Sequence, residues 1–179
     1  MKAIRILFLH GLESEGLKPE KRKALLDRLK KESNVAAEIM AEIYDYRDPK
    51  YSFEYFKEKV KQYEPDLLMG SSFGGRIAFH LSNLFGIPSV LFNPAINSSL
   101  CCEILTIEKE WERIFSQQYY IMGTNDETVP PVETLTYLIA NGMKGELSRI
   151  NLVLGMEHRV SVQNFAEYSC IGIRKMLGV

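Results

Sequence analysis

Short apolar runs alternate along the chain with longer segments in which apolar residues recur every three or four positions. The runs predict buried strands, because a strand covered on both faces needs apolar side chains on both. The predicted strands are Ile4–Leu9, Ala36–Tyr44, Leu67–Met69, Ser89–Phe92, Gln118–Met122 and Arg149–Leu154. The predicted helices are Pro19–Glu32, Phe53–Tyr63, Arg76–Phe85, Glu108–Phe115, Val132–Ala140 and Asn164–Leu177.

Strands that alternate with helices form right-handed βαβ units, so the pattern predicts an α/β fold with a mostly parallel sheet and helices on both faces. Glu38 and Glu42 make the second strand a candidate for a sheet edge. The 179 residues contain no linker-like tract and no internal repeat, and we expect a single domain over residues 1–179. In such sheets, reactive groups gather at the carboxyl ends of the strands. Four candidate residues lie just after predicted strands: His10, Ser72, Asp126 and His158.

The turn after the third predicted strand contains the pattern Gly70-x-Ser72-x-Gly74. This spacing is typical of a nucleophile elbow, in which a strained strand-to-helix corner exposes the serine hydroxyl. Small residues flank the serine because larger ones would collide with the neighbouring strand and helix. Ser71 is a weaker candidate, since Met69 occupies the position where its flanking glycine would have to be. The pattern therefore predicts Ser72 as a nucleophile.

Composition narrows the possible partners. Hydrophobic residues make up 46% of the chain and charged residues 25%, and the net charge of −1 gives no general attraction to nucleic acid or to a membrane surface. The basic run Lys18–Lys31 is interpreted as the solvated face of a helix. We expect no signal peptide and no stable membrane insertion. The three cysteines show neither a disulfide framework nor a metal-binding spacing, so no metal and a cytoplasmic location are expected.

A serine hydroxyl needs a neighbouring base, and histidine is the usual one. That histidine needs an acceptor on its other ring nitrogen. His158 and Asp126 are the predicted base and acid, with a solvent-exposed loop histidine and a turn aspartate as the structural alternatives. Glu127 is a second candidate for the acid. The alternative to a nucleophilic Ser72 is a serine that only stabilises the turn. His10 is interpreted as a structural loop histidine.

Five segments in order carry a resemblance to a known family: Ile6–Leu12, Gly70–Gly75, Phe92–Ala95, Gly123–Asp126 and Gly155–His158. With them the chain resembles a small α/β-hydrolase, and in particular the compact bacterial esterase family typified by YqiA. The chain order Ser, Asp, His is that of α/β-hydrolases. The acid loop departs from the esterase family and is closer to the general hydrolase pattern Gly-x-x-Asp-x-x-Val-Pro.

The resemblance implies the α/β-hydrolase fold with a minimal cap or none. It implies hydrolysis of carboxylic esters, including acyl thioesters, through an acyl-enzyme and without a cofactor. The partner would then be a small-molecule ester or thioester. In the resulting hypothesis, Ser72 attacks the acyl carbonyl and His158 carries its proton. The backbone N–H groups of Phe73 and Leu12 bind the oxyanion, with His10 and Gly11 shaping the loop before Leu12.

Three questions stay open at the level of sequence. The triad would also serve an enzyme that cleaves amide or peptide bonds, and the fold would also serve a binding protein without turnover. The interval from Ala95 to Gln117 could form a small flap over the site or an ordinary crossover packed in the core. The oligomeric state is equally open.

Overall fold

The computed structural model describes residues 3–107, 116–141 and 148–179, and the helix predicted at 108–115 lies outside them. The described strands are β1 Ile4–Leu9, β2 Ala37–Met40, β3 Leu67–Ser71, β4 Ser89–Phe92, β5 Gln118–Gly123 and β6 Ser148–Val153. The described helices are α1 Pro19–Ser33, α2 Phe53–Tyr63, α3 Ser72–Phe85, α4 Ser99–Ile104, α5 Pro131–Ala140 and α6 Val162–Leu177.

The six strands form one parallel sheet in the order β2-β1-β3-β4-β5-β6. Among the described strands, β2 pairs with β1 alone and lies at an edge, as Glu38 and Glu42 predicted. Because all strands run in the same direction, the loops that follow them gather along one side of the sheet. The elbow after β3 therefore lies at the centre of that side, between the loops that follow β1 and β4.

The continuous apolar runs supply two cores at once, one on each face of the sheet. In β1, Leu7 and Leu9 belong to the cluster that contains residues of α2, α3 and α5, whereas Ile6 and Phe8 belong to the cluster that contains residues of α1 and α6. Helices thus cover both faces, and this explains why the strands lack the apolar–polar alternation of a half-exposed sheet.

Two element ends differ from the prediction by four residues, and one described helix was missed. β2 ends at Met40 rather than at Tyr44, because the chain after it turns into a loop whose tyrosines are buried against other segments. α3 begins at Ser72 rather than at Arg76, since two glycines weaken the helical signal of its first turn. The short helix α4 was not predicted.

Candidate active site

The predicted elbow is a sharp turn between β3 and α3. Ser72 has a backbone φ of 53°, in the left-handed region that a serine rarely adopts. A Cβ atom on Gly70 would come within 2.4 Å of the Gly74 carbonyl oxygen, and one on Gly74 would come within 2.2 Å of the Leu9 carbonyl oxygen. Both distances are far below any allowed contact, so the close packing of strand and helix around the serine requires glycine at both positions.

The side chains of Ser72, His158 and Asp126 form a continuous chain of hydrogen-bonding distances. Nε2 of His158 lies 3.0 Å from Oγ of Ser72, and Nδ1 lies 2.7 Å from Oδ2 of Asp126. The other carboxylate oxygen of Asp126 accepts hydrogen bonds from the backbone N–H groups of Thr128, at 2.9 Å, and Val129, at 2.8 Å. With Asp126 ionised, Nδ1 of His158 donates to it, and Nε2 is free to accept the proton of the Ser72 hydroxyl.

Exposure differs along this chain of contacts. The Asp126 side chain is 1% exposed, whereas the His158 side chain is 24% exposed. Ser72 is also partly exposed. A ligand can therefore reach the hydroxyl and the imidazole from solvent, while the carboxylate is shielded. Shielding strengthens the charge-assisted hydrogen bond between Asp126 and His158.

His10 belongs to the loop that follows β1 and leads to Leu12, and it is buried. Its Nε2 accepts a hydrogen bond from the Tyr44 backbone N–H at 2.7 Å, so in the neutral ring Nδ1 carries the proton and donates it to the Gly11 carbonyl, also at 2.7 Å. The Tyr46 hydroxyl donates to the His10 carbonyl at 2.8 Å. Burial lowers the pKa of His10, which favours this neutral form. Both ring nitrogens of His10 are therefore engaged by backbone groups of the loops, and its structural role stays a prediction.

The two predicted oxyanion donors belong to segments that adjoin the nucleophile. Phe73 is in the first turn of α3, where backbone N–H groups have no acceptor within the helix. Gly11 packs against Ser72, since a Cβ built on this glycine would lie 3.3 Å from the Ser72 Cβ. Leu12 follows in the same loop. The placement suits a pair of donors, and their part in binding an oxyanion stays a prediction.

The structure adds a residue to which the sequence pattern assigned no role. Asn93 directly follows β4 and is buried. Its side-chain oxygen accepts from the Gly123 backbone N–H at 2.8 Å, and its amide nitrogen donates to the carbonyls of Glu157 and His158, at 3.1 and 3.3 Å. In the sequence, Asn93 lies in the segment Phe92–Ala95 that carries the family resemblance, but an asparagine followed by a proline at the end of a strand is typical of many turns and indicates no role in the site.

The cysteines and the described part of the possible flap contact other parts of the structure. Cys101 is buried, and the exposed Cys102 accepts a hydrogen bond at 3.5 Å from the guanidinium of Arg76. Ile104 and Ile107 pack against the core cluster that contains α2 and α3, as a crossover connection would, while the neighbouring residues 108–115 are outside the description. Within the described residues, no group of three or more histidine, cysteine or acidic side chains is placed to hold a metal ion.

No helix among residues 3–107, 116–141 and 148–179 has the length and hydropathy needed to cross a bilayer.

Comparison with solved structures identifies the fold. Est1E from Butyrivibrio proteoclasticus matches with a TM-score of 0.70 and 14% sequence identity, over 99% of this chain and 90% of its own. MGS-MChE2, an alpha/beta hydrolase enzyme from a sediment metagenome of the lagoon of Mar Chica, matches with a TM-score of 0.66 and 18% identity, over 99% and 90%. Esterase PE8 matches with a TM-score of 0.63 and 15% identity, over 97% and 92%. The predicted α/β-hydrolase fold is confirmed.

Comparison of sequences identifies the family. No curated protein sequence matches the chain significantly. The family described as "Uncharacterised protein family (UPF0227)" matches residues 5–136, nearly three quarters of the chain. This match confirms the resemblance to the YqiA-type family. The chain belongs to the uncharacterised protein family UPF0227.

Proposed function

We propose that the protein is a serine hydrolase that cleaves carboxylic esters or acyl thioesters through an acyl-enzyme formed on Ser72. The observation that carries the proposal is the pair of contacts made by one imidazole, 3.0 Å to the Ser72 hydroxyl and 2.7 Å to Asp126. A nucleophile, a base and a group that orients the base are the three parts of the Ser-His-Asp arrangement that performs this chemistry.

The proposed reaction has two halves. In the first, Oγ of Ser72 attacks the acyl carbon while its proton moves to Nε2 of His158. The tetrahedral intermediate collapses as that proton passes to the leaving alcohol or thiol, and the acyl group stays on Ser72. In the second half, His158 takes a proton from water, the resulting hydroxide attacks the acyl-enzyme, and the proton returns to Ser72 as the carboxylic acid leaves.

Asp126 would stabilise the imidazolium that forms in each half of the reaction. Its Oδ1 is held by two backbone N–H groups, which fixes the carboxylate with Oδ2 towards His158. The negative charge that develops on the substrate oxygen would be bound by the N–H groups of Phe73 and Leu12. Loss of one such donor typically lowers kcat by about 100- to 1000-fold.

The name of one structural neighbour favours an ester substrate over an amide. One structural neighbour is named as an esterase and another as an alpha/beta hydrolase enzyme, and both cover nearly the whole chain. A thioester is at least as easily cleaved as an oxygen ester because its thiolate leaves more readily. Two alternatives have to be distinguished from this proposal. One is an amide-cleaving enzyme with the same triad, and the other is an α/β-hydrolase-like binding protein without turnover.

Labelling with a fluorophosphonate probe tests the nucleophile. Wild type should form a covalent adduct, and mass spectrometry of the digested protein should place it on Ser72. Ser72→Ala should abolish labelling with little change in thermal unfolding. Ser71→Ala is the matched control, since Ser71 is the adjacent serine at the end of β3, and this variant should still be labelled. Folded wild type that is not labelled would favour the binding protein and refute the proposal.

A substrate panel then tests the bond. Initial rates should be measured with p-nitrophenyl esters of increasing acyl length, with acyl-CoA thioesters and with peptide anilides. The proposal expects ester or thioester turnover that is lost in Ser72→Ala. Turnover of the anilides alone would assign the triad to amide cleavage instead.

A further inference from the structure

Asn93 occupies a position that connects the loops of the proposed site. It follows β4, which lies between the strand of the nucleophile and the strand of the acid. The residue is 1% exposed, and its backbone φ of 41° is left-handed. Asparagine tolerates this conformation better than other residues with a Cβ atom. The turn therefore holds a polar side chain in the interior, where every donor and acceptor needs a partner.

The amide group of Asn93 makes its contacts to backbone groups of two other loops. The oxygen binds the N–H of Gly123, the last residue of β5, three positions before Asp126. The nitrogen binds the carbonyls of Glu157 and His158. The Asn93 side chain thus connects β5, the strand before Asp126, with the backbone of His158. An amide suits this task because it offers donors and an acceptor without a buried charge.

The same turn is fixed to the nucleophile by its backbone. The N–H of Ala95 donates to the carbonyl oxygen of Ser72 at 3.0 Å. Thr134, from α5, donates its hydroxyl hydrogen to the Pro94 carbonyl at 2.9 Å. The turn at 93–95 consequently contacts the backbone of the nucleophile on one side and the backbone of the base on the other.

We infer that Asn93 is a positioning residue, which sets the location of His158 relative to Ser72 and Asp126. The inference rests on the proposed function and extends it to a residue that touches none of the reacting atoms. The Nε2–Oγ contact is a hydrogen bond at 3.0 Å, so a small displacement of the His158 backbone would break it. A misplacement of about 1 Å can cost on the order of 100-fold in rate.

Two variants separate the contacts of Asn93 without forcing the backbone. Asn93→Asp keeps the shape, the tolerance for a left-handed φ and the acceptor for Gly123. It replaces the donor with an oxygen that faces the two carbonyls of the His158 loop and repels them. Asn93→Gly keeps the backbone conformation and removes all three side-chain hydrogen bonds. Thr134→Val is the matched control, because it removes a buried hydrogen bond to the same turn without a contact to the His158 loop.

The first readout is steady-state kinetics on an ester that wild type hydrolyses. Asn93→Asp and Asn93→Gly should lower kcat by about 10- to 100-fold with little change in KM, since the substrate contacts are untouched. Thr134→Val should lower the unfolding temperature while its kcat stays within about twofold of wild type. If both Asn93 variants also retain kcat within about twofold of wild type, the inference is overturned.

The second readout does not depend on turnover. A histidine Nδ1 proton held by a buried carboxylate gives a proton resonance far downfield. The resonance is assigned to His158 if it disappears in His158→Gln, which lacks the imidazole. This resonance should move or broaden in both Asn93 variants and stay in place in Thr134→Val. If wild type turns out to hydrolyse nothing but the resonance responds in this way, the proposed function fails and the positioning role stands. An unchanged resonance in both variants would refute the positioning role even in an active enzyme.

Discussion

His10 offers a prediction in which stability and activity separate, because its two ring nitrogens serve different partners. Nε2 accepts from the Tyr44 backbone N–H, and Nδ1–H donates to the Gly11 carbonyl. The terminal amide of glutamine can reproduce the acceptor at Nε2, and that of asparagine can reproduce the donor at Nδ1. His10→Gln therefore removes mainly the contact to Gly11, and His10→Asn removes mainly the contact to Tyr44.

The stability effect should be larger in His10→Asn. Tyr44 is 3% exposed, so its N–H would be left buried without an acceptor. Such an orphaned group costs about 1–3 kcal/mol in the free energy of unfolding. Each kcal/mol corresponds to a fall of about 2–4 °C in Tm for a chain of this size. Gly11 is only partly buried, so in His10→Gln its carbonyl can turn to water and the cost is smaller.

The activity effect should be larger in His10→Gln. The Gly11 carbonyl and the Leu12 N–H belong to the same peptide group and point in opposite directions. The hydrogen bond from His10 to that carbonyl therefore fixes the direction of the predicted oxyanion donor. If the peptide rotates when the bond is lost, kcat should fall towards the 100- to 1000-fold that a missing donor costs.

The same histidine predicts how stability depends on pH. Burial lowers the pKa of His10 from its ordinary value of 6.5. The unfolded chain then binds the proton more readily than the folded one, so stability is fully present above the unfolded pKa and is lost as pH falls through the folded pKa. Both variants should remove this part of the acid sensitivity.

Urea unfolding followed by circular dichroism at several values between about pH 8 and about pH 5 would measure these effects, together with kcat on an ester substrate. The reasoning is refuted if wild type and both variants lose stability in parallel on acidification. It is also refuted if His10→Gln keeps full kcat, since the Leu12 peptide would then hold its direction without His10.

Three further changes test single contacts of the site. Asp126→Asn should lower kcat by about 10³- to 10⁴-fold with little loss of Tm, because an amide cannot hold His158 in the tautomer that accepts from Ser72. Ser72→Gly should abolish activity and raise the free energy of unfolding by up to about 1 kcal/mol, since glycine adopts the left-handed backbone without strain; an unfolding curve that shows destabilisation would contradict this. Gly74→Ala should destabilise the fold by about 3 kcal/mol or more, as its Cβ would collide with the Leu9 carbonyl oxygen 2.2 Å away.

The sequence predicted the architecture well, because the signals for it are local. A strand such as Ile4–Leu9 is covered on both faces and is therefore apolar at every position. One of the two largest errors in element bounds is at the end of β2, where Tyr44 and Tyr46 look like a continuation of the strand. Their burial depends on His10, which is 34 and 36 positions away, and no local pattern reports that contact.

The same limit applies to the site. A parallel sheet brings the ends of its strands to one side, so the sequence could predict that Ser72, Asp126 and His158 lie near one another. It could not predict that Asn93 joins the end of β5, three positions before Asp126, to the backbone of His158. That contact depends on the order of strands in the sheet, in which β4 lies between β3 and β5. It also depends on a buried amide whose partners are backbone groups 30 to 65 positions away in the sequence.

Backbone strain points to the same side of the sheet. Among the described residues, five other than glycine have a left-handed φ, and two of these, Asn34 and Glu64, end helices, where the conformation is common. The remaining three are Glu13, Ser72 and Asn93, which follow β1, β3 and β4, three adjacent strands. Each such residue costs about 1–3 kcal/mol and persists only where surrounding contacts hold it. Ser72 and Asn93 are the proposed nucleophile and the proposed positioning residue. The backbone strain therefore lies where the relative positions of the Ser72 hydroxyl and the His158 imidazole have to be maintained.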